Sequence, residues 1–205
     1  MSTLAEWRGR LAYQPLSLGA VALATSAALV VANQLTRPAI FSAEERDLQT
    51  SLIEVLPEGF ADNNLLKDTL PLSGDDGKPV IVYRARKAGA VTGAVFQNSA
   101  RGYGGELTVL IGVDAKGTLL GARVIRHKET PGLGDKIELA KSQWIRDFEG
   151  KSLESPPPEQ WAVKKDSGVF DQFAGATITP RAVVKAVKEG MTFYAAHRPE
   201  ILEGK

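Results

Sequence analysis

The stretch PVIVYRARKAGAVTGAVFQNSARGYGGELTVLIGVDAKGTLLGARVIRH (79–127) is where the hydrophobic period of the chain becomes two. Apolar and polar residues alternate over 79–87, 90–97, 106–114 and 118–127, which predicts four strands. Short glycine turns at Lys87-Ala88-Gly89 and Ala115-Lys116-Gly117 make neighbouring strands antiparallel. Helical patterns flank this run on both sides. Strands bracketed by helices predict an α+β domain with a mainly antiparallel sheet, not an alternating parallel one. No internal repeat is present.

Downstream of the strands, 135–141 reads as helical and 144–148 as a shorter helical piece, with Ser155-Pro156-Pro157-Pro158 as a loop. A last helix is expected over 180–196. Its approach is Phe170-Asp171-Gln172-Phe173-Ala174-Gly175-Ala176-Thr177-Ile178-Thr179-Pro180-Arg181. Thr179 suits the N-cap and Pro180 the first helical position, with Val183, Val184, Val187 and Met191 on one face. Thr177 then lies two residues before a helix N-terminus, where free N–H groups and the helix dipole favour a phosphate. Gly175 and Ala176 keep the approach open to a bulky group. Locally, an ordinary capped helix explains the same residues.

Two further segments carry glycine at close spacing. Gly102-Tyr103-Gly104-Gly105 precedes the third strand and lacks the spacing and lysine of a P-loop. His127-Lys128-Glu129-Thr130-Pro131-Gly132-Leu133-Gly134-Asp135 leaves a strand, turns at Pro131-Gly132 and enters a helix. Polar Glu129 and Thr130 beside a compact turn suit a heterocycle, while Lys128 or Lys136 suits an anion. A plain turn and a plain strand–helix connection are the alternatives.

Upstream, 58–79 is turn-rich, with Ser73-Gly74-Asp75-Asp76-Gly77 as its clearest break. Ser42-Ala43-Glu44-Glu45 is a capping-box pattern, opening a helix after Pro38 that runs to about Leu56, with Leu48, Leu52, Ile53 and Leu56 as its stripe. Before it, LSLGAVALATSAALVVANQL (16–35) contains no charge. At ~1.5 Å per residue such a helix is about 30 Å long, enough to cross a hydrocarbon core. Gly19, Ala20, Ala24, Ala27 and Ala28 allow close packing with other membrane helices. Arg8 and Arg10 favour a cytoplasmic N-terminus, Arg37 counts against it, and Trp7 and Tyr13 suit the interface. The competing reading is a cleaved signal peptide ending at Ala32. The expected organisation is an N-terminal tail (1–15), a single transmembrane helix (16–35), a connecting helix with turns (36–78) and one folded domain (79–205).

The chain has 205 residues, a net charge of +1 and no cysteine. Nothing in that balance points to nucleic acid. Thiolate metal sites, cysteine-ligated clusters and cysteine nucleophiles are excluded. His127 and His197 are far apart, so no metal site is expected. No nucleophile–base pair or paired carboxylates suggest hydrolysis. Redox chemistry here would need an organic cofactor.

Taken in order behind one anchor, GYGG, the strand hairpin, HKETPGLG and FDQFAGATITP resemble the periplasmic FMN-binding domain family over about 80–195. That family includes the G subunits of Rnf-type ion-translocating electron-transport complexes, the nearer match. It also includes the C subunits of sodium-translocating NADH:quinone reductases. The resemblance implies FMN held by a phosphoester to the last threonine of an Asp-x-x-Ser/Thr-Gly-Ala-Thr pattern, here Thr177. Asp171, Gly175 and Ala176 match the pattern, Ala174 departs from its usual hydroxyl residue, and Thr179 is the rival hydroxyl. It further implies flavin contacts from Glu129, Thr130, Leu133 and Gly134, and from Tyr103. A periplasmic domain on a bacterial inner-membrane anchor, other members of the complex as partners, a flavin transferase using FAD for maturation, and no substrate turnover of its own complete what the resemblance implies. The alternatives are the quinone-reductase flavoprotein and a non-redox tethered scaffold or sensor on the same fold.

Overall fold

A computed structural model of the protein describes residues 13–74 and 77–203, without the side chains of residues 13, 44 and 45. The tail residues Trp7, Arg8 and Arg10, the side chains of Tyr13, Glu44 and Glu45, and residues Asp75 and Asp76 therefore lie outside the described part. Two compact units divide between Asp47 and Leu48.

Helix α1, Tyr13–Glu54, is continuous across the segment expected to break. It is long and apolar enough to cross a membrane. Leu16, Leu18, Leu23, Leu29 and Leu35 are between 60 and 75% exposed, as a lipid-facing surface requires. Its 42 residues exceed the roughly 20 that a membrane span needs. The expected helix start at Ser42 is absent because the Ser42 hydroxyl donates to the Ala39 carbonyl at 3.0 Å inside the helix. Pro38 lies within the helix, where it supplies no N–H to the hydrogen-bond ladder.

In the second unit, a five-stranded meander runs in the order β1 to β5, every pair antiparallel. The strands are β1 Thr69–Ser73, β2 Pro79–Lys87, β3 Ala90–Arg101, β4 Glu106–Asp114 and β5 Leu119–Arg126. The alternation predicts only four of them. The unforeseen β1 carries Pro71, which a strand tolerates only at an edge, and β1 is the edge. β3 runs four residues further than its alternation suggests. There the Asn98 amide donates to the Ala186 carbonyl, and Ser99 hydrogen-bonds Thr108 across the strands, so polar residues are met within the sheet.

β4 is buried on both faces from Leu107 to Val113, because each face of the sheet is covered. On one face Ala94, Phe96, Val109, Ile111 and Val113 meet Val183, Val187 and Met191 of helix α2, Ile178–Glu203. Gly190 brings that helix close: a Cβ there would lie 2.4 Å from Ile111 Cδ1. On the other face Val95 and Leu110 pack with Leu52, Val55 and Leu65. The stripe of the 48–56 segment is thus Leu48, Leu52, Val55 and Leu56, while Ile53 is 55% exposed. Between β5 and α2 the chain forms short 3-10 turns, at Asp135–Ile137 and Gln143–Phe148, in place of the longer helix expected from Asp135. An aromatic cluster of Trp144, Phe148, Trp161, Phe170 and Phe173 fills the space beneath them.

Candidate functional site

Three segments far apart in sequence meet at one end of the sheet: the tip of the β3–β4 hairpin, the loop after β5, and the approach to α2. Each is shaped by backbone geometry. The hairpin tip closes through a 2.7 Å bond from the Gly102 N–H to the Gly105 carbonyl. At Gly104 it touches the second segment so closely that a Cβ would lie 1.8 Å from the Lys128 carbonyl oxygen. The loop turns at Thr130-Pro131-Gly132-Leu133, where the Leu133 N–H donates to the Thr130 carbonyl and Gly132 has φ +79°. Proline second and glycine third is the signature of a type II turn.

The third segment hangs from the aromatic cluster. Phe170 and Phe173 are buried, and Trp144 Nε1 donates to the Asp171 carbonyl at 2.8 Å. Phe173-Ala174-Gly175-Ala176 then forms a turn, closed by the Ala176 N–H on the Phe173 carbonyl, with φ +80° at Gly175. Ala174 is an exposed corner of this turn, which is closed by backbone alone. A hydroxyl at that position is not needed to build it.

Helix α2 begins at Ile178, so Thr177 immediately precedes it, and its carbonyl accepts from the Arg181 N–H. Thr177, not Thr179, therefore holds the position next to the free N–H groups. Thr179 is inside the first turn and 1% exposed. Its hydroxyl donates to Glu129 Oε2 at 2.5 Å instead of capping the helix. The Thr177 hydroxyl has no hydrogen-bond partner among the described residues. Arg181, one turn on, donates to both oxygens of Asp166 at 2.5 and 2.6 Å and holds that carboxyl below its usual range.

Together these segments line a pocket of about 260 Å³. Tyr103, Glu129, Thr130, Leu133, Gly134, Gly175, Ala176 and Thr177, all named from the sequence, are on its wall. Asp171 is not: its carboxylate is 59% exposed and pairs with Lys164 at 2.6 Å. Ile178 and Thr179 complete the lining. Ile178 carries no signal of its own, since an apolar residue at a helix start reads as core. Tyr103, Leu133 and Ile178 are 71, 46 and 48% exposed, an apolar collar unusual on a free surface. Glu129 is the only formally charged residue in the lining. His127 and Lys128 stay outside it; the His127 ring instead braces the loop, with Nδ1 accepting from the Glu129 N–H and Nε2 on Glu138. A larger pocket of about 470 Å³ lies beside Phe96, Glu189 and Phe193, and none of the candidate site residues named from the sequence lines it.

The sequence profile of the FMN-binding domain family matches residues 102–192, which include every residue of the smaller pocket. The G subunit of the ion-translocating oxidoreductase complex of Stutzerimonas stutzeri is 50% identical over 189 residues, covering 92% of this chain and 83% of the relative. The chain belongs to this family of G subunits. The counterpart from Cereibacter sphaeroides is 47% identical over 96% of this chain and 90% of the relative, and that from Vibrio vulnificus 42% identical over 91% and 90%. Among solved structures, Shewanella oneidensis NqrC shares the fold, with a TM-score of 0.51 at 20% identity over 72% of this chain and 74% of NqrC.

Proposed function

We propose that this chain is the electron-transfer flavoprotein of a membrane-bound, Rnf-type ion-translocating oxidoreductase complex, with FMN joined through its phosphate to Thr177. The observation that carries the reading is the unpaired Thr177 hydroxyl on the wall of the pocket, at the start of a 26-residue helix. The residues fit the group. Free N–H groups at the α2 start suit a phosphoester anion, and the collar of Tyr103, Leu133 and Ile178 suits a planar ring. Gly175 and Ala176 keep the wall low between them.

Bound FMN supplies the capacity to take up and release one or two electrons. The protein's part is to hold it and keep water from one side. Thr177 would hold FMN through a phosphoester at Oγ1; that bond would replace the phosphoanhydride of FAD, with AMP and the hydroxyl proton leaving, in a step assigned to a separate flavin transferase. Such a link leaves the ring unaltered and prevents cofactor loss outside the cytoplasm. The remaining expectations belong to the same reading: an inner-membrane anchor in α1, a cytoplasmic N-terminus, a periplasmic flavin domain, and other members of the complex as electron donor and acceptor. Turnover then belongs to the complex, not to this chain alone.

The test is intact mass and peptide mapping of the chain produced with the transferase, alongside ultraviolet fluorescence on a denaturing gel. An adduct of FMN minus water on the peptide containing Thr177, lost in Thr177→Val, is the expected result. Fluorescence that persists in Thr177→Val, or its absence from the unaltered chain, overturns the assignment.

A further inference from the structure

The family resemblance makes Glu129 a flavin contact, yet its side chain is only 6% exposed, and both its oxygens are engaged by the protein. Oε1 accepts from the Gly104 N–H at 3.1 Å, and Oε2 accepts from the Thr179 hydroxyl at 2.5 Å. Two glycines leave room for it: a Cβ at Gly102 would lie 2.3 Å from Oε1, and one at Gly134 would lie 2.9 Å from the Glu129 Cβ. Its own backbone N–H is spoken for by His127 Nδ1 at 3.1 Å. With Nδ1 accepting, the ring proton is on Nε2, directed at Glu138. One carboxylate thus joins all three segments of the pocket, and the histidine fixes the backbone from which it reaches.

We propose that Glu129 is a positioning residue: by clamping Thr179 and Gly104 together it sets the start of α2, and with it the Thr177 hydroxyl, against the glycine hairpin. The inference rests on Thr177 being the attachment site. It differs from a contact role because the carboxylate acts through protein groups that it already satisfies. Removing it leaves the Gly104 N–H without its protein acceptor and the buried Thr179 hydroxyl without a partner, and the two pocket walls without their tie. Glutamine can restore the tie, its Oε1 accepting from Gly104 and its amide donating to Thr179 Oγ1.

The experiment compares the full chain with Glu129→Ala, Glu129→Gln, Thr179→Val and the Glu129→Ala/Thr179→Val pair. Two quantities are read: the fraction carrying the FMN adduct after a fixed time with the transferase, and hydrogen exchange at the hairpin tip in the unmodified chain. Loading of Glu129→Ala should fall about tenfold, the equivalent of one lost hydrogen bond with the buried Thr179 hydroxyl unmet. Exchange at Gly104 should rise. Glu129→Gln should recover most of both, and the double variant should load no worse than the poorer single one. Loading of Glu129→Ala equal to that of the unaltered chain overturns the proposal, as do losses that multiply in the double variant. If Glu129→Ala does not fold, Glu129→Gln and Thr179→Val decide: a glutamine variant without recovered Gly104 protection also overturns it. An unaltered chain with no adduct on Thr177 is a different failure. It removes the attachment assignment, while exchange at Gly104 still decides whether the clamp exists.

Discussion

Two hydroxyls two residues apart, those of Thr177 and Thr179, end in opposite environments. One is unpaired on a pocket wall and the other is sealed against a carboxylate. The motif spacing singles out the first, but the fate of the second depends on Glu129, fifty residues away in sequence. No local pattern reports such a pair. Asp171 shows the converse. It matches the motif, yet its exposed side chain with a surface lysine contributes little to folding. Asp171→Ala should therefore change unfolding stability by less than about 0.5 kcal/mol in a denaturant titration. Tyr194 is a stronger case. Its hydroxyl donates to the Asp114 carbonyl at 2.9 Å, and burial pushes its pKa up to about 12. A phenol whose folded pKa is raised gives stability that is complete below its unfolded value near ~10 and is lost as pH rises through the folded one. Thermal unfolding should show a falling stability across that alkaline window. Tyr194→Phe should flatten it, at a cost of about 1 kcal/mol at neutral pH from the lost hydrogen bond.

At the level of elements, the period-two run is legible because four of the strands are separated by glycine-bearing turns, even though β4 is buried on both faces. β1 is hidden by Pro71, and α1 is divided on paper by a proline and a serine whose hydroxyl in fact stays inside the helix. The α2 boundary lies two residues earlier than its sequence suggests, because a threonine before proline reads as a cap whether or not its oxygen is taken elsewhere. What no pattern could give is how the hairpin and loop touch. Gly104→Ala places a Cβ 1.8 Å from the Lys128 carbonyl oxygen, so the hairpin and loop must part. Cross-peaks of the hairpin tip in an NMR spectrum should shift or broaden, a local change that outweighs any loss in Tm. The β1–β2 pair makes an acid-side prediction. Burial tends to raise the Asp68 pKa, but hydrogen bonds from Arg86 and Arg84 outweigh it and hold the carboxyl below its ordinary value. A depressed folded pKa gives stability that is present above the unfolded value near ~3.9 and is lost as pH falls through the folded one. Asp68→Asn should reduce this acid-side decline in a series of unfolding curves below pH ~4.

For the whole molecule, the buried apolar core among the described residues begins at Leu52 and belongs entirely to the second unit. A chain starting at Leu48 should therefore keep a cooperative unfolding transition and its strand signal in far-UV circular dichroism. One ending at Thr177 should lose both, because Val183, Val187 and Met191 cover a whole face of the sheet. The meander joins each strand to the next, so the sheet can assemble in the order in which the chain is made. The pocket cannot. Its hairpin and loop walls precede α2 in the chain, but its last wall is the start of the final helix. The core also takes up the later turns of α2, at Tyr194 and Ile201. A maturation step that recognised the assembled pocket would thus act as a check on folding. Chains interrupted before α2 would remain unmarked, and the modified fraction would count molecules whose sheet and helix have come together.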